Sequence, residues 1–468
     1  MSVSIDKTVA QPNESDKHRL IVLTDIEADP DDAQSLVRLL LYSNVIEIEG
    51  IIATTSTHQR ERVVPESLHK IIDSYEKVQP NLMKHEKGFP SSDELHKVVK
   101  QGLPLYGMEG VGEGHDSEGS EWIIQALEKN DPRPLWISVW GGPNTLAQAL
   151  WKLKETRSDS ELERLIRKLR VYTISDQDTS APWMRRVFPN LFYIVSPGNY
   201  FSGTWIAINR PFEGANNEVI SNDWIAENIQ QNHGPLGLEY PDVAYGVEGD
   251  TPAFLSLIPN GLNNAEHPNV GGWGGRYELY TPDIDPAGAP GIPEDTPKES
   301  RDIWTDAEDT FQPYHYSEYG RPIQQSTTVY SGNQVSLWRW REDFQNDFAA
   351  RMDWTVMNYD DANHPPVAKL AHDDSLTVKS GEIFGLNAEG SFDPDGDSIS
   401  FLWFQYPEAG TYDEVISFAP YSPNLYHMHT IQAPEVESTQ TIHFILKVTD
   451  KGTPALSRYK RVVVTIEP

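Results

Sequence analysis

Residues 19–35, RLIVLTDIEADPDDAQS, constrain this chain more than any other stretch. Leu20 to Thr24 are apolar or β-branched and run straight into Asp25, Glu27, Asp29, Asp31 and Asp32. Leu36, Leu39 and Leu40 follow on one helical face. That order predicts a buried parallel strand, a loop at its carboxyl end, and a helix returning over the sheet. Loops in that position are where open α/β sheets bind ligands. Five carboxylates within eight residues repel one another unless a cation sits among them, and hard cations such as Ca²⁺ are held by oxygen-rich clusters of this kind. The alternative is a solvated acidic loop that caps the helix, since Asp in the first turn favours the helix dipole.

The alternation of strand and helix then repeats. Val45 to Thr54 reads as a second strand, ending in Thr55, Ser56, Thr57 and His58. Leu135 to Trp140 is a third, ending in Gly141-Gly142-Pro143-Asn144-Thr145 with a helix from Leu146. Arg170 to Ser175 is a fourth, ending in Asp176-Gln177-Asp178, and Leu191 to Ser196 a fifth. Helical periods cover 61–78 and 120–129. The fold class predicted is α/β, a doubly wound, mostly parallel sheet. Residues 200–330 show no clear period, and 281–300 are rich in Pro, Gly and acids, an irregular surface segment. Leu337 to Met352 predicts an amphipathic helix, with Trp340, Phe344 and Phe348 as core packing. Asp360 to Pro366 reads as a linker, because Pro-Pro forbids helix. Beyond it, short alternating segments predict an all-β sandwich. The domains expected are a flexible segment at 1–18, an α/β domain at 19–360 and a β-sandwich at 361–468.

Composition narrows the function. A net charge of −32 argues against nucleic acid, whose phosphates need a basic face, and against anionic membrane surfaces. With no cysteine, disulfides, zinc-thiolate sites, iron–sulfur clusters and thiol nucleophiles are excluded. No apolar run reaches the length of a membrane span. Met1 to Lys17 is polar and lacks signal-peptide features. An extracellular or periplasmic protein without its leader and a cytoplasmic protein are both compatible with that. There is no Gly-x-Ser-x-Gly elbow, Walker loop or His-Glu-x-x-His.

The run Asp25-Ile26-Glu27-Ala28-Asp29-Pro30-Asp31-Asp32-Ala33 resembles the amino-terminal aspartate motif of the nucleoside hydrolases, Asp-x-Asp-x-x-x-Asp-Asp-Ala. More closely, the chain resembles a bacterial cellulose-binding-protein family. Its members carry a nucleoside-hydrolase-like domain followed by an immunoglobulin-like domain. The resemblance rests on SLVRLLLYSN (35–44), EGIIATTSTH (49–58), VWGGPNTLAQAL (139–150), HGPLGLEYP (233–241), EGDTPAFLSLIPNGL (248–262) and GGWGGRY (271–277).

The resemblance implies a Ca²⁺ that binds sugar hydroxyls and lowers the pKa of an attacking water. Carried over, Glu27 falls at the metal-bound base, Asp31 at a sugar-contacting acid and Asp32 at a bidentate ligand. Asn144 falls at a carbonyl ligand and Asp250 at the late aspartate ligand. Two positions depart from the pattern. Glu27 replaces an aspartate, with Asp29 in reach as an alternative base. Gly249 stands where a histidine acid often precedes the late aspartate, and Glu248, one residue earlier, is the substitute proton donor. That substitution favours an O-glycosidic bond over a nucleobase bond.

Asp25, Asp29, His58, Asp176, Asp178, Trp273 and Arg276 complete the expected substrate contacts. Asp176 and Asp178 read equally as helix caps, and Trp273 with Arg276 equally as a tight turn packed by Trp. A lone His such as His58 reads more readily as a satisfied structural residue. Arg38 is expected to pair with a carboxylate of the acidic loop. Ser391 to Asp397 resembles a strand-connecting loop of polycystic-kidney-disease-type modules and reads as a turn. Trp403 is read as core, and Tyr406, Tyr412, Tyr421 and Tyr426 as a sugar-stacking face. The function expected is metal-assisted hydrolysis of glycosidic bonds in a poly- or oligosaccharide. A non-catalytic, cellulose-type binding protein is the rival, and ribonucleoside hydrolysis the third reading.

Overall fold

A computed structural model describes residues 17–197, 203–289, 291–316, 322–324, 327–421 and 425–468. The flexible segment expected at 1–18 lies outside the described residues as far as residue 16.

The α/β domain is built on an eight-stranded sheet. Its strands are β1 (His18–Thr24), β2 (Ile46–Ala53), β3 (Val99–Gln101), β4 (Leu135–Val139), β5 (Leu169–Thr173), β6 (Phe192–Ile194), β7 (Tyr277–Tyr280) and β8 (Ile303–Asp306). They lie in the order β3-β2-β1-β4-β5-β6-β8-β7, and only β7 runs antiparallel to its neighbour. The apolar run of β1 is unbroken because both faces of the strand are covered. Leu20 and Val22 pack with Leu36, Leu39 and Leu40 of helix α1 (Asp31–Leu41) and Tyr75 of α2 (Pro65–His85). Ile21 and Leu23 pack on the other face with Ile123, Leu127, Leu146 and Leu150. The chain winds outward from β1 to β3, then restarts on the other side at β4. The crevice between the carboxyl ends of β1 and β4 is therefore the topological switch point, where such sheets bind ligands.

Two strands of this sheet come from the stretch without a clear period. β8 continues the parallel sheet beside β6, and β7 closes the edge. Each is only 4 residues long, too short for a period to show. The single helix expected over 337–352 is two, Val335–Trp338 and Arg341–Asp353. The second is buried on almost all sides, including Arg341, Asp343, Asp347 and Arg351, so it is not amphipathic. It lies between the two domains.

The C-terminal domain is a β-sandwich. One sheet orders Ser375–Lys379, Ser457–Glu467, Gln440–Thr449 and Ser400–Gln405, and the other Ile383–Asn387, Met428–Gln432 and Ala419–Pro420. Trp403, Phe444, Leu446 and Val464 fill the space between them. Tyr406 is fully buried and donates to Asp309 of the first domain, which removes it from any sugar-stacking face. Tyr421 is exposed.

The two domains share one junction. Lys447 Nζ lies 2.6 Å from Asp343, Arg458 2.6 Å from Asp347, and Trp340 packs against Tyr406 and Tyr459. The stretch expected as a linker is packed as well. His364 is buried, stacks on Tyr359 with ring centroids 4.0 Å apart, and bonds Asp395 through Nδ1 at 2.9 Å. Asp343→Ala leaves the Lys447 ammonium buried without its carboxylate. The variant is expected to lose about 3–5 kcal/mol, read in equilibrium denaturation as an earlier transition in which both domains unfold together.

Candidate functional site

The site grows from the end of β1. A turn closed by the Ala28 N–H on the Asp25 carbonyl (2.9 Å) leads into α1, whose first two residues are Asp31 and Asp32. Asp25, Asp31 and Asp32 are buried. Asp29, Asp31 and Asp32 each offer an oxygen within 4.8 Å of the others. Asp32 accepts from the Thr24 hydroxyl, and Asp31 Oδ2 accepts from Trp205 Nε1 at 2.6 Å. Asp250 joins them from a distant loop, 3 % exposed, and among the described residues its Oδ2 has no hydrogen-bond partner.

The electrostatics reflect this crowding. Burial, and then the Asp29 charge, push the Asp25 carboxyl up to about 6. Asp32 is raised further by burial and by Asp25 and Asp29. Asp250 is raised by burial and by Asp32, Asp29 and Asp25. Burial raises Asp29 too, and the His58 charge opposes that rise. His58 itself is exposed at the end of β2. An all-oxygen donor set, buried carboxylates in mutual repulsion and an orphaned Asp250 oxygen fit a hard cation.

Glycines let the carboxylates approach the backbone after β4. A Cβ at Gly141 would lie 2.5 Å from Asp25 Oδ1, and one at Gly142 2.4 Å from Asp178 Oδ2. Asp178 accepts from the Ser180 N–H at 2.7 Å, its Oδ2 has no partner, and burial raises its carboxyl to about 6. It therefore caps a helix beside the Gly142 backbone.

Several expected site residues are engaged elsewhere. Glu27 sits at φ +74°. Its side chain is 44 % exposed, accepts from Ser67 and lies 3.5 Å from Arg62. The expected base thus points to solvent, and Asp29 stands in the cluster instead. Glu248, the expected proton donor, is fully buried. Arg38 clamps both of its oxygens, Tyr240 donates at 2.9 Å and Thr251 at 2.7 Å. Its N–H donates to Gln34 Oε1 at 2.8 Å. Arg38 therefore pairs with Glu248 rather than with the acidic loop, and the pair ties the Asp250 loop to α1.

Asp176 gives both oxygens to Arg185, at 2.8 and 2.7 Å, so it does not face the cluster. Asn144 begins the helix Asn144–Thr156, whose geometry directs its carbonyl along the axis rather than to a ligand. Its side chain is held by Thr54 (2.9 Å), Thr55 (3.1 Å) and the Leu105 carbonyl (2.7 Å). Trp273 is wholly buried against Phe344 and Tyr459. Arg276 is buried and paired with Asp309 at 2.7 Å and Glu278 at 2.8 Å. Neither reaches a sugar.

Two residues at the site escaped sequence reasoning. Tyr106 donates to the Gln177 carbonyl at 2.9 Å, with the Arg60 guanidinium 4.5 Å from its ring centroid. Trp205 lies in the stretch without a clear period. Its only trace in the sequence is indirect, a glycine at 249 where a larger residue is expected.

Arg38→Met strips Glu248 of its cation and is expected to cost about 3–5 kcal/mol in chemical denaturation. Asp25 and Asp178 titrate near 6 in the fold, against about 3.9 in an unfolded chain. The folded, cation-free state therefore binds protons more readily. Stability from these groups is full below about pH 4 and is lost as pH rises through about 6. Urea midpoints of chelated protein should fall across that interval, and Asp178→Asn should flatten the slope.

Comparison with known proteins matches this architecture. The family profile described as "Cellulose-binding Sde182, nucleoside hydrolase-like domain" matches residues 19–277. That of "Cellulose-binding protein Sde0182, C-terminal domain" matches residues 383–466. Among solved structures, a nucleoside hydrolase-related hypothetical protein from Saccharophagus degradans, associated with carbohydrate metabolism, is 36 % identical with a TM-score of 0.79. The match covers 96 % of this chain and 100 % of that one. The effector protein XOO4466 is similar at 10 % identity and a TM-score of 0.34, over 62 % of this chain and 88 % of its own. The type III effector XopQ, complexed with adenosine diphosphate ribose, is similar at 13 % identity and a TM-score of 0.29, over 53 % and 68 %. No curated protein matches. With both domains matched in order, the chain belongs to the cellulose-binding protein family that carries a nucleoside-hydrolase-like domain.

Proposed function

We propose that this protein is a cation-dependent saccharide-binding protein whose ligand is a cellulose-type poly- or oligosaccharide. The observation that carries this reading is the state of Glu248. Its carboxylate is consumed by Arg38, Tyr240 and Thr251, and Glu27 faces solvent, so neither expected partner in acid–base cleavage meets the cluster. Asp29, Asp31 and Asp32 still converge. These three carboxylates, with Asp250, would hold Ca²⁺. When bound, such a cation supplies coordination positions for neighbouring sugar hydroxyls. The family's description as cellulose-binding supports a glucan ligand. A polymer of that kind lies outside the cytoplasm, which favours an extracellular or periplasmic protein.

Hydrolysis is the second reading, favoured by the opposition of Asp29 and His58 at the rim. There Asp29 would take a proton from water and His58 would donate one to the leaving oxygen.

The test is retention on cellulose and binding of a soluble oligosaccharide panel, with Ca²⁺ and with chelator, for wild type and Asp32→Ala. Reducing ends are counted in parallel. Expected are binding that falls at least about tenfold on chelation and in the variant, and no new reducing ends. Binding indifferent to both would sink the cation clamp. Reducing ends that disappear in Asp29→Asn would establish the hydrolase.

A further inference from the structure

The geometry points to Trp205 as the residue that positions Asp31 for the cation and sugar and decides which of its oxygens they meet. This inference rests on the cation-dependent saccharide reading above.

Trp205 is 8 % exposed and Asp31 4 %. The indole N–H, the only donor a tryptophan has, is directed at Asp31 Oδ2 across 2.6 Å. A charge-assisted bond this short holds a carboxylate in one orientation. Oδ2 thereby carries the indole bond and Oδ1 does not, in a carboxylate that offers an oxygen within 4.8 Å of those of Asp29 and Asp32. Asp32 is held in the same way by the Thr24 hydroxyl, whereas Asp250 Oδ2 has no partner. Two of the four carboxylates, Asp31 and Asp32, are thus oriented by second residues.

Gly249 is an independent witness. A Cβ at this position would fall 2.1 Å from Cδ1 and Nε1 of Trp205 and 2.5 Å from Asp31 Oδ2. No side chain fits there while the indole is in place. Glycine beside Asp250 and tryptophan at 205 are therefore complementary: the indole occupies the volume that a side chain at 249 would need. A proton donor at 249, the position from which a nucleobase leaving group would be served, is incompatible with this packing. What the packing excludes is a side-chain proton donor at 249.

Full-length wild type, Trp205→Phe and Gly249→Ala are titrated with Ca²⁺ by calorimetry. They are also titrated with Tb³⁺ by luminescence excited through tryptophan. Trp205→Phe keeps an aromatic ring and removes the pyrrole half with its N–H. Its Ca²⁺ affinity is expected to fall about 10–100-fold, the usual cost of losing a residue that orients a ligand. At saturating Tb³⁺ its sensitised emission should drop sharply, a signal that a tryptophan far from the cation would leave unchanged. Gly249→Ala, which crowds the indole off Asp31, should weaken Ca²⁺ in the same range, and it carries the test if Trp205→Phe does not fold. Wild-type binding with both variants equal to it overturns the role of Trp205 and leaves the saccharide reading standing. A wild type that binds neither ion overturns both.

Discussion

The structure depends on keeping like charges buried beside one another at the end of β1. Asp25, Asp32 and Asp250 are almost wholly removed from solvent; the Asp25 charge raises the carboxyl pKa of Asp32, and Asp25 and Asp32 together raise that of Asp250. Such an arrangement costs free energy unless dipoles or a cation offset it. The surroundings supply some of the dipoles: the Thr24 hydroxyl on Asp32, the Trp205 indole on Asp31 and the Ser180 N–H beside Asp178. The diglycine at 141–142 lets two of the carboxylates approach a bare backbone. Among the described residues Asp178 Oδ2 and Asp250 Oδ2 are left without a hydrogen-bond partner.

A second set of buried charges makes this possible. The chain is strongly acidic, yet Arg19, Arg38, Arg185 and Arg341 are among its largest fully buried side chains. Three of them neutralise carboxylates inside the fold: Glu49, Glu248 and Asp176. Breaking any such pair leaves a charge that cannot be solvated, so these carboxylates are held as structure. Glu248 illustrates the consequence. Its place next to Asp250 is that of a proton donor, but its environment makes it an anchor. The Arg38–Glu248 pair joins α1, which carries Asp31 and Asp32, to the loop that carries Asp250, and so fixes the spacing of the ligand set.

The same economy operates between the domains. The helix Arg341–Asp353 is buried on nearly all sides because it is the shared wall of both. Its acids, Asp343 and Asp347, receive Lys447 and Arg458 of the sandwich, while Trp340 packs against Tyr406 and Tyr459. One hydrophobic core includes Tyr406, Ile445 and Tyr459 together with residues of the α/β domain. The sandwich is thus part of the platform on which the site stands. Among the described residues no helix is long and apolar enough to cross a membrane.

Local pattern by itself determined the parallel sheet, the acidic loop at the end of β1 and the sandwich beyond it. Apolar runs, strand-end polar clusters and alternating segments depend only on near neighbours along the chain. The family resemblance brought Asp31, Asp32 and Asp250 to the site, with Asp29 as the alternative to Glu27 as base and with Glu27 and Asn144 as further metal ligands. Tertiary structure alone decided which carboxylates are free. Whether Glu248, Asp176 or Arg276 serves a ligand or a salt bridge depends on partners that are remote in sequence, Arg38, Arg185 and Asp309, which no local spacing encodes. Backbone at positive φ turned Glu27 outward, and close packing alone explains why Trp205 demands glycine at 249. Burial and pairing are properties of the folded chain, and they separate the residues that can meet a ligand from those that hold the fold.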